Sequence, residues 1–398
     1  MARIGIYGGS FDPVHTGHTQ AASFAINALD LDRLIVIPSS HTPGKEKAYN
    51  SPGDAHRLEM LKLAFAGEQK IIVDDRELVR GGNSYTVDTV CQLAKEFPED
   101  DLILFVGTDM FLSFLSWYQP ETILRYVSLG VFFRGEKNEL EAIEKQKTAI
   151  EAMGGRVQLV KNPITAISST DLRRMLVFGC ADPFLPVGVG AHICKNGLYD
   201  TAADFHGLSE EALAQTVTRL LKPSRVAHVM GCRQAAVELA DLWGADPRDA
   251  ARAALLHDIT KALYGPLQLT LCQQYGVCLD AFSTQNPKTL HALTGSLVAQ
   301  RIFGENKAVV EAIRHHTTGK ANMNVLETII YVADYMEPNR DFPGVQALRD
   351  LAYTDLDGAL KLGLEMTVSL LREQGRQISP ESLDALVYLN SRKKESKC

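Results

Sequence analysis

No two of the seven cysteines form a CxxC pair, and no apolar run reaches the length of a membrane span. The cysteines stand at 91, 180, 194, 232, 272, 278 and 398, odd in number and scattered. That spacing excludes a disulfide framework or a zinc ribbon and points to reduced thiols in a cytosol. Basic residues are not in excess either. Residues 1–200 carry 20 basic against 25 acidic side chains, and residues 201–398 carry 21 against 23. A duplex-binding module needs a basic excess, so nucleic acid is not an expected partner, while local pockets for nucleotides remain open. Internal repeats and low-complexity tracts are also missing. The chain begins with a short apolar stretch and no charged-then-apolar leader. A cytoplasmic protein with no membrane partner is the expectation. With 398 residues, 45% hydrophobic and 22% charged, two or three domains with their own cores are expected.

What is present starts at Ile4. Ile4 to Tyr7 is apolar and β-prone and reads as a buried strand. Gly8 and Gly9 follow, where the missing Cβ lets the backbone turn and approach a ligand. Ser10, Phe11, Asp12, Pro13 and Val14 lead to His15, and His15 and His18 bracket Gly17 where a helical pattern begins. Free N–H groups and the dipole at a helix start favour an anion. Two imidazoles, glycines and a helix N-terminus together suit a polyphosphate. A turn between strand and helix is common in α/β proteins, but core packing would not require both histidines.

From there strands alternate with helices. Strands are expected at 33–38, 71–74, 102–106, 129–133 and 157–160, and helices at 17–29, 54–66, 86–97 and 139–153. The alternation implies a doubly wound parallel α/β sheet of Rossmann-like type, with ligands at the C-terminal ends of the strands. Gly8, Lys45, Gly107 and the Ser168 region all follow strands and can converge there. Ser168, Ser169 and Thr170 open another helix, with Arg173 one turn on. One hydroxyl there suits an N-cap. Three, with an arginine, suit a second phosphate-gripping helix start.

The segment from Gly8 to His18 resembles the HxGH signature of the nucleotidyltransferase superfamily, and Ser168 to Arg173 resembles its SSTxxR signature. Ser84-Tyr85-Thr86, Phe105 to Asp109, Trp117-Tyr118, Phe133-Arg134, Leu185-Pro186 and Asn196 to Tyr199 resemble segments of bacterial nicotinate mononucleotide adenylyltransferase. This resemblance covers about residues 1–200. It implies transfer of AMP from ATP to nicotinate mononucleotide, with Mg²⁺ accompanying ATP. It implies catalytic roles for His15, His18, Lys45 and Arg173. Nucleotide or substrate contacts are implied at Gly8, Gly9, Ser10, Phe11, Thr86, Gly107, Asp109, Trp117, Tyr118, Arg134, Ser168, Ser169 and Thr170. Trp117 and Thr86 would meet the nicotinate ring and its carboxylate, although Trp117 suits a core role equally well. The family shows two consecutive prolines before its basic loop residue. Here the loop reads Thr42-Pro43-Gly44-Lys45.

Residues 201–209 are small and polar and read as a linker. After them strand signals vanish. Helices are expected at 210–221, 224–243, 247–264, 266–275, 288–303, 307–315, 324–335, 354–373 and 380–389, an all-α domain over 210–398. His228, His257, Asp258, His291, His315, His316 and Asp334 fall at helix positions beside apolar residues. A single histidine so placed is usually a satisfied core residue. Five histidines and two aspartates over five helices need a shared partner, because burying that many polar groups alone is very costly. A metal cluster provides one, and mixed imidazole and carboxylate ligands suit Fe, Mn or similar ions.

The order His, His-Asp, His, His-His, Asp, with Lys261 after the doublet, resembles the HD-domain metal phosphohydrolases. More narrowly, about residues 210–390 resemble the bacterial HD-type symmetrical bis(5′-nucleosyl)-tetraphosphatases. That resemblance implies iron-dependent hydrolysis of diadenosine tetraphosphate to two ADP. It implies His228, His257, Asp258 and Asp334 as metal ligands, with Asp258 also catalytic. It implies His291, His315 and His316 as phosphate contacts or a second metal site, and Arg225 and Arg340 as phosphate contacts. Other readings keep the folds and change the ligands. The first half could serve pantetheine phosphate, and the second a nucleotidase, a cyclic-nucleotide phosphodiesterase or a nucleotide sensor. The oligomeric state, a homodimer included, is left open.

Overall fold

The computed structural model describes residues 1–133, 137–161 and 167–395, which fall into two compact units, Met1–Ala203 and Asp204–Cys398. Arg134, one of the expected substrate contacts, lies outside the described residues.

The first unit runs β1 (Arg3–Gly9), α1 (Thr16–Ala28), β2 (Arg33–Pro38), α2 (Asp54–Ala64), β3 (Ile71–Val73), α3 (Arg76–Arg80), α4 (Thr86–Glu96) and β4 (Asp101–Gly107). It continues with α5 (Thr108–Leu112), α6 (Pro120–Tyr126), β5 (Ser128–Phe133), α7 (Lys137–Ala152), β6 (Val157–Lys161), α8 (Ser169–Val177) and α9 (Val189–Lys195). The six strands are all parallel, in the order β3-β2-β1-β4-β5-β6. Helices cover both faces, which is why Leu34 to Ile37 and Leu102 to Val106 are buried without alternation. Gly5 in β1 is required by close approach: a Cβ there would stand 2.6 Å from Leu34, 2.8 Å from Leu31 and 2.9 Å from Phe105. The strand order reverses between β1 and β4, and ligands of doubly wound sheets bind at that switch point. The His15–His18 segment leaves β1 and Gly107–Asp109 leaves β4, so both reach that crevice.

The second unit is helical: α10 (Glu210–Leu220), α11 (Pro223–Trp243), α12 (Pro247–Leu256), α13 (Gly265–Gln274), α14 (Ala281–Gln285) and α15 (Leu290–Arg301). Then follow α16 (Lys307–His315), α17 (Val325–Met336), α18 (Val345–Ala352), α19 (Leu356–Glu373) and α20 (Pro380–Glu395). The helix expected over 247–264 stops at Leu256, and His257 to Ala262 form turns. Thr260 explains the break. Its hydroxyl reaches His291 O and Thr294 on α15, and its carbonyl accepts from Gln268 on α13 as well as from Leu263 N–H, so tertiary bonds join tight turns where the helix would have continued. Part of the expected linker packs on this unit: the Phe205 ring lies 5.6 Å from that of Phe303, and Leu208 O accepts from Arg252. No helix of the described residues is long and apolar enough to cross a membrane.

Candidate functional site

Each unit holds one constellation. In the first, a cleft of about 1050 Å³ lies at the switch point. It is lined by Gly9, Ser10, His15, His18, Lys45, Gly107, Asp109, Ser168, Ser169, Thr170 and Arg173 among others. Two helix N-termini, those of α1 and α8, open into it, each with unpaired N–H groups suited to an anion. The His15 and His18 rings stack at 3.6 Å, and the His15 backbone N–H donates to His18 Nδ1 at 3.2 Å. With Nδ1 accepting, the neutral His18 ring carries its proton on Nε2. Burial lowers the pKa of both histidines, His15 to about 4 and His18 well below its ordinary value. They therefore stand as neutral donors rather than cations.

The structure also shows what several sequence candidates do at rest. Ser168 caps α8, accepting from the Asp171 N–H at 3.0 Å. Ser169 donates to Pro13 O at 3.1 Å, and Thr170 accepts from Arg173 Nη2 at 3.0 Å. Arg173 Nη1 donates to Asp12 O at 2.5 Å, tying α8 to the loop between β1 and α1. Phe11 is only 1% exposed and packs edge-on against Tyr7 and His18, so only its backbone can meet a ligand. Gly8, Thr86, Trp117 and Tyr118 do not line this cleft. Trp117 is half-buried against Phe114 with ring centroids 5.2 Å apart. Tyr118 is exposed beside Tyr85 at 4.9 Å. Two residues missed from sequence complete the loop: Arg57, whose buried guanidinium donates to Ser10 O at 2.7 Å, and Tyr199, whose hydroxyl donates to Asp12.

The second constellation sits where α11, the turn after α12, α15, the end of α16 and α17 meet. Four imidazoles are oriented alike. His257 Nδ1 donates to Ala254 O at 2.6 Å, His291 Nδ1 to Lys288 O at 2.8 Å and His316 Nδ1 to Ile313 O at 2.7 Å. His228 Nδ1 meets the buried Glu337 carboxylate at 3.2 Å. Each Nε2 lone pair is thereby turned inward, an arrangement typical of metal-ligating histidines. The His228 and His257 Nε2 atoms lie 3.3 Å apart. Asp334 Oδ1 is 3.0 Å from the first and 3.8 Å from the second, and Asp258 Oδ2 is 3.7 and 3.5 Å from them. Ligands about 2.1 Å from one ion stand roughly 3.0–3.4 Å apart. Both Asp258 oxygens are buried without a hydrogen-bond partner. Facing lone pairs beside two carboxylates fit a cation, and among these residues His228, His257, Asp258 and Asp334 would hold it. Cys232, also missed from sequence, contributes a sulfur 3.6 Å from His228 Nε2.

On the other side of Asp258, Oδ1 stands 3.5 Å from His291 Nε2 and 3.8 Å from His316 Nε2. Lys261 Nζ donates to His291 Nε2 at 2.7 Å, and the Thr317 hydroxyl is 3.1 Å from both rings. His315 does not join them. Its Nε2 faces Glu311 at 3.5 Å, because consecutive residues at a helix end point about 100° apart. Arg225 pairs with Asp258, and Arg340 Nη2 donates to Asp334 Oδ1 at 2.8 Å, so both expected phosphate contacts sit on the ligand carboxylates. Buried carboxylates require a countercharge, and these guanidiniums supply it. Burial lowers the pKa of His257, His291 and His316, the last to about 4.

Neutral buried histidines make stability depend on pH. In the unfolded chain they titrate near 6.5, so below that pH the unfolded state binds protons the folded state excludes. This stabilisation is complete above about pH 6.5 and is lost as pH falls toward 4. The thermal midpoint of the nucleotide-free, metal-free protein should therefore drop between pH 7 and pH 5.5, above the main carboxylate range. A flat or rising midpoint contradicts neutral burial.

Comparison with known proteins matches both constellations. Residues 6–175 match the cytidylyltransferase-like family and residues 225–339 match the HD domain family. A probable nicotinate-nucleotide adenylyltransferase of Borreliella burgdorferi is 35% identical over 198 residues, covering 50% of this chain and 96% of that protein. One from Pseudomonas fluorescens is 36% identical over 209 residues, covering 50% and 97%. Among solved structures, a predicted HD superfamily hydrolase involved in NAD metabolism from Clostridium acetobutylicum is 35% identical. It covers 46% of this chain and 98% of that one, with a TM-score of 0.45. The chain thus belongs, through its first half, to the nicotinate-nucleotide adenylyltransferase family, and it carries an HD domain in its second.

Proposed function

We propose that the first unit transfers AMP from ATP to nicotinate mononucleotide, giving deamido-NAD and pyrophosphate. The paired neutral histidines at a helix start beside a second helix start carry this reading. The nicotinate mononucleotide phosphate oxygen attacks the α-phosphorus of ATP, and the bond to the β-phosphate oxygen breaks. The nucleophile is already an anion, so no general base is needed, and alignment with charge stabilisation accounts for the rate. His18 Nε2–H and His15 donate to phosphate oxygens. Lys45 and Arg173 neutralise charge building on the leaving pyrophosphate. Mg²⁺ enters with ATP as part of the substrate. Thr86 and Trp117, outside the phosphate cleft, are the proposed readers of the nicotinate ring and its carboxylate.

Substrate choice tests that last assignment. A site built to bind a carboxylate leaves donors unpaired when offered the neutral amide. Nicotinate mononucleotide should exceed nicotinamide mononucleotide in kcat/KM by about 10²-fold or more. Equal efficiency in a spectrophotometric assay with both substrates rejects it.

For the second unit we propose hydrolysis of diadenosine tetraphosphate to two ADP. His228, His257, Asp258 and Asp334 would hold a metal such as iron, which would supply Lewis-acid activation of water and phosphate. The rest is done by the chain itself. Asp258 accepts a hydrogen bond from the attacking water and sets its line of approach. Lys261, facing the same carboxylate oxygen, donates to phosphate oxygens, and the Nε2 lone pairs of His291 and His316 beside it would hold a second metal. Arg225 and Arg340, once the carboxylates have another countercharge, are released to meet the polyphosphate. The test is to incubate metal-replete protein with a panel of dinucleoside polyphosphates and separate the products by chromatography. ADP as the sole product from diadenosine tetraphosphate supports the reading. Binding without turnover makes the domain a sensor.

A further inference from the structure

Three of the four residues Gly197 to Asp200 have left-handed backbone. φ is 58° at Gly197, 57° at Tyr199 and 62° at Asp200. Glycine adopts that conformation freely, but tyrosine and aspartate do so at a cost, and such outliers persist only where the surroundings hold them. What holds these two is informative. Tyr199 is 2% exposed, and its hydroxyl donates to Asp12 Oδ1 at 2.8 Å in the loop between β1 and α1. Asp200 Oδ2 accepts from Tyr49 Oη at 2.6 Å and Asn50 Nδ2 at 2.8 Å, in the loop between β2 and α2 that carries Lys45. The first loop carries His15 and His18. Neither Tyr199 nor Asp200 lines the cleft.

We propose that the turn 197–200 is a clasp that sets the two phosphate-binding loops of the first unit in register, with Tyr199 and Asp200 as positioning residues for adenylyl transfer. The first loop is also held by Arg57, Arg173 and Ser169 at Ser10 O, Asp12 O and Pro13 O. The Lys45 loop is also held by Ser84 at Ser40 N and His41 O and by Asp54 at Lys47. The turn 197–200 adds a direct bond to each. A strained pair of adjacent residues, each bonded to a different loop, lets one loop feel the position of the other. The mechanism needs this, because His18 and Lys45 must act on phosphates of a single nucleotide.

The kinetic part of the proposal rests on the adenylyl-transfer reading, and the exchange part does not. The test compares Tyr199→Phe, Asp200→Ala and Asp200→Asn in the full chain. Hydrogen exchange should rise in peptides over residues 8–18 for Tyr199→Phe and over 40–53 for Asp200→Ala, with the rest of the sheet unchanged. Asp200→Asn should restore the wild-type pattern, since its amide oxygen still accepts both bonds and asparagine tolerates left-handed backbone. In kinetics, kcat should fall about tenfold in the first two variants with KM for nicotinate mononucleotide unchanged. Unaltered exchange in both loops, or an increase spread over the whole unit, overturns the clasp. If wild-type protein lacks adenylyl transfer but the exchange pattern is as stated, the functional reading fails and the clasp stands.

Discussion

Asp258→Ala should abolish hydrolysis of diadenosine tetraphosphate, a fall on the order of 10³-fold or more, as when one member of a catalytic unit is removed. Its two oxygens face different groups. One stands among His228, His257 and Arg225, the other beside His291, His316 and Lys261. Alanine therefore removes a ligand charge and the carboxylate that links the two sides. Metal content should drop, measured on the purified variant by elemental analysis. Circular dichroism on the same sample checks that the fold survives, since the substitution also leaves Arg225 without its carboxylate partner. Adenylyl transfer should persist in the same preparation, since among the described residues none lining the first unit's cleft lies beyond Arg173. Hydrolysis that survives with metal bound refutes the role of Asp258. Loss of both activities in a folded variant refutes the independence of the two sites.

His18→Ala should lower adenylyl transfer by about 10²–10³-fold, the scale for removing one preorganised donor to a developing charge. The preorganisation is visible in the bond from the His15 N–H to His18 Nδ1, which assigns the proton to Nε2, and in the ring stack that fixes the imidazole plane. Neutrality matters here. A buried ring held well below its ordinary pKa stays neutral, so Nδ1 keeps the lone pair that accepts from the His15 N–H and Nε2 is the one donor. The cost to folding should be about 1 kcal/mol, chiefly the His15 N–H left without its partner. Steady-state kinetics with a melting curve on the same sample decides it. Near-normal kcat in a folded variant rejects the histidine assignment.

Much of this was legible along the chain because it is local. Strand, glycines and paired histidines before a helical pattern lie within fifteen residues. Apolar runs without alternation mark strands covered on both faces, which is how β2 and β4 could be read. The ordered histidines and aspartates of the second half were legible as a set, because buried polar groups at helical spacing need a common partner. Glu337 and Arg57 carried no such signal, and Tyr199 stood only within the Asn196–Tyr199 resemblance, with no role assigned. Their placement depends on partners distant in sequence, 109 residues away for Glu337 and His228 and 187 for Tyr199 and Asp12.

The sequence by itself determined the two fold classes, placed the first constellation at the C-terminal ends of the strands and marked most of the histidines and aspartates that gather in the second, while the strand order that makes a switch point came from the structure. Tertiary structure alone decided which way the side chains point. His315 and His316 are adjacent in sequence, yet only His316 turns to Asp258, because α16 packs with one side toward α15 and α17. The helix expected to continue past His257 gives way to tight turns in which Thr260 bonds to α13 and α15 as well as to Leu263 N–H. The inward Nε2 atoms are fixed by carbonyls three residues back for three rings and by Glu337 for the fourth. Periodicity records which face of an element is apolar. The aim of a ring nitrogen depends on hydrogen bonds that form only when the helices pack together.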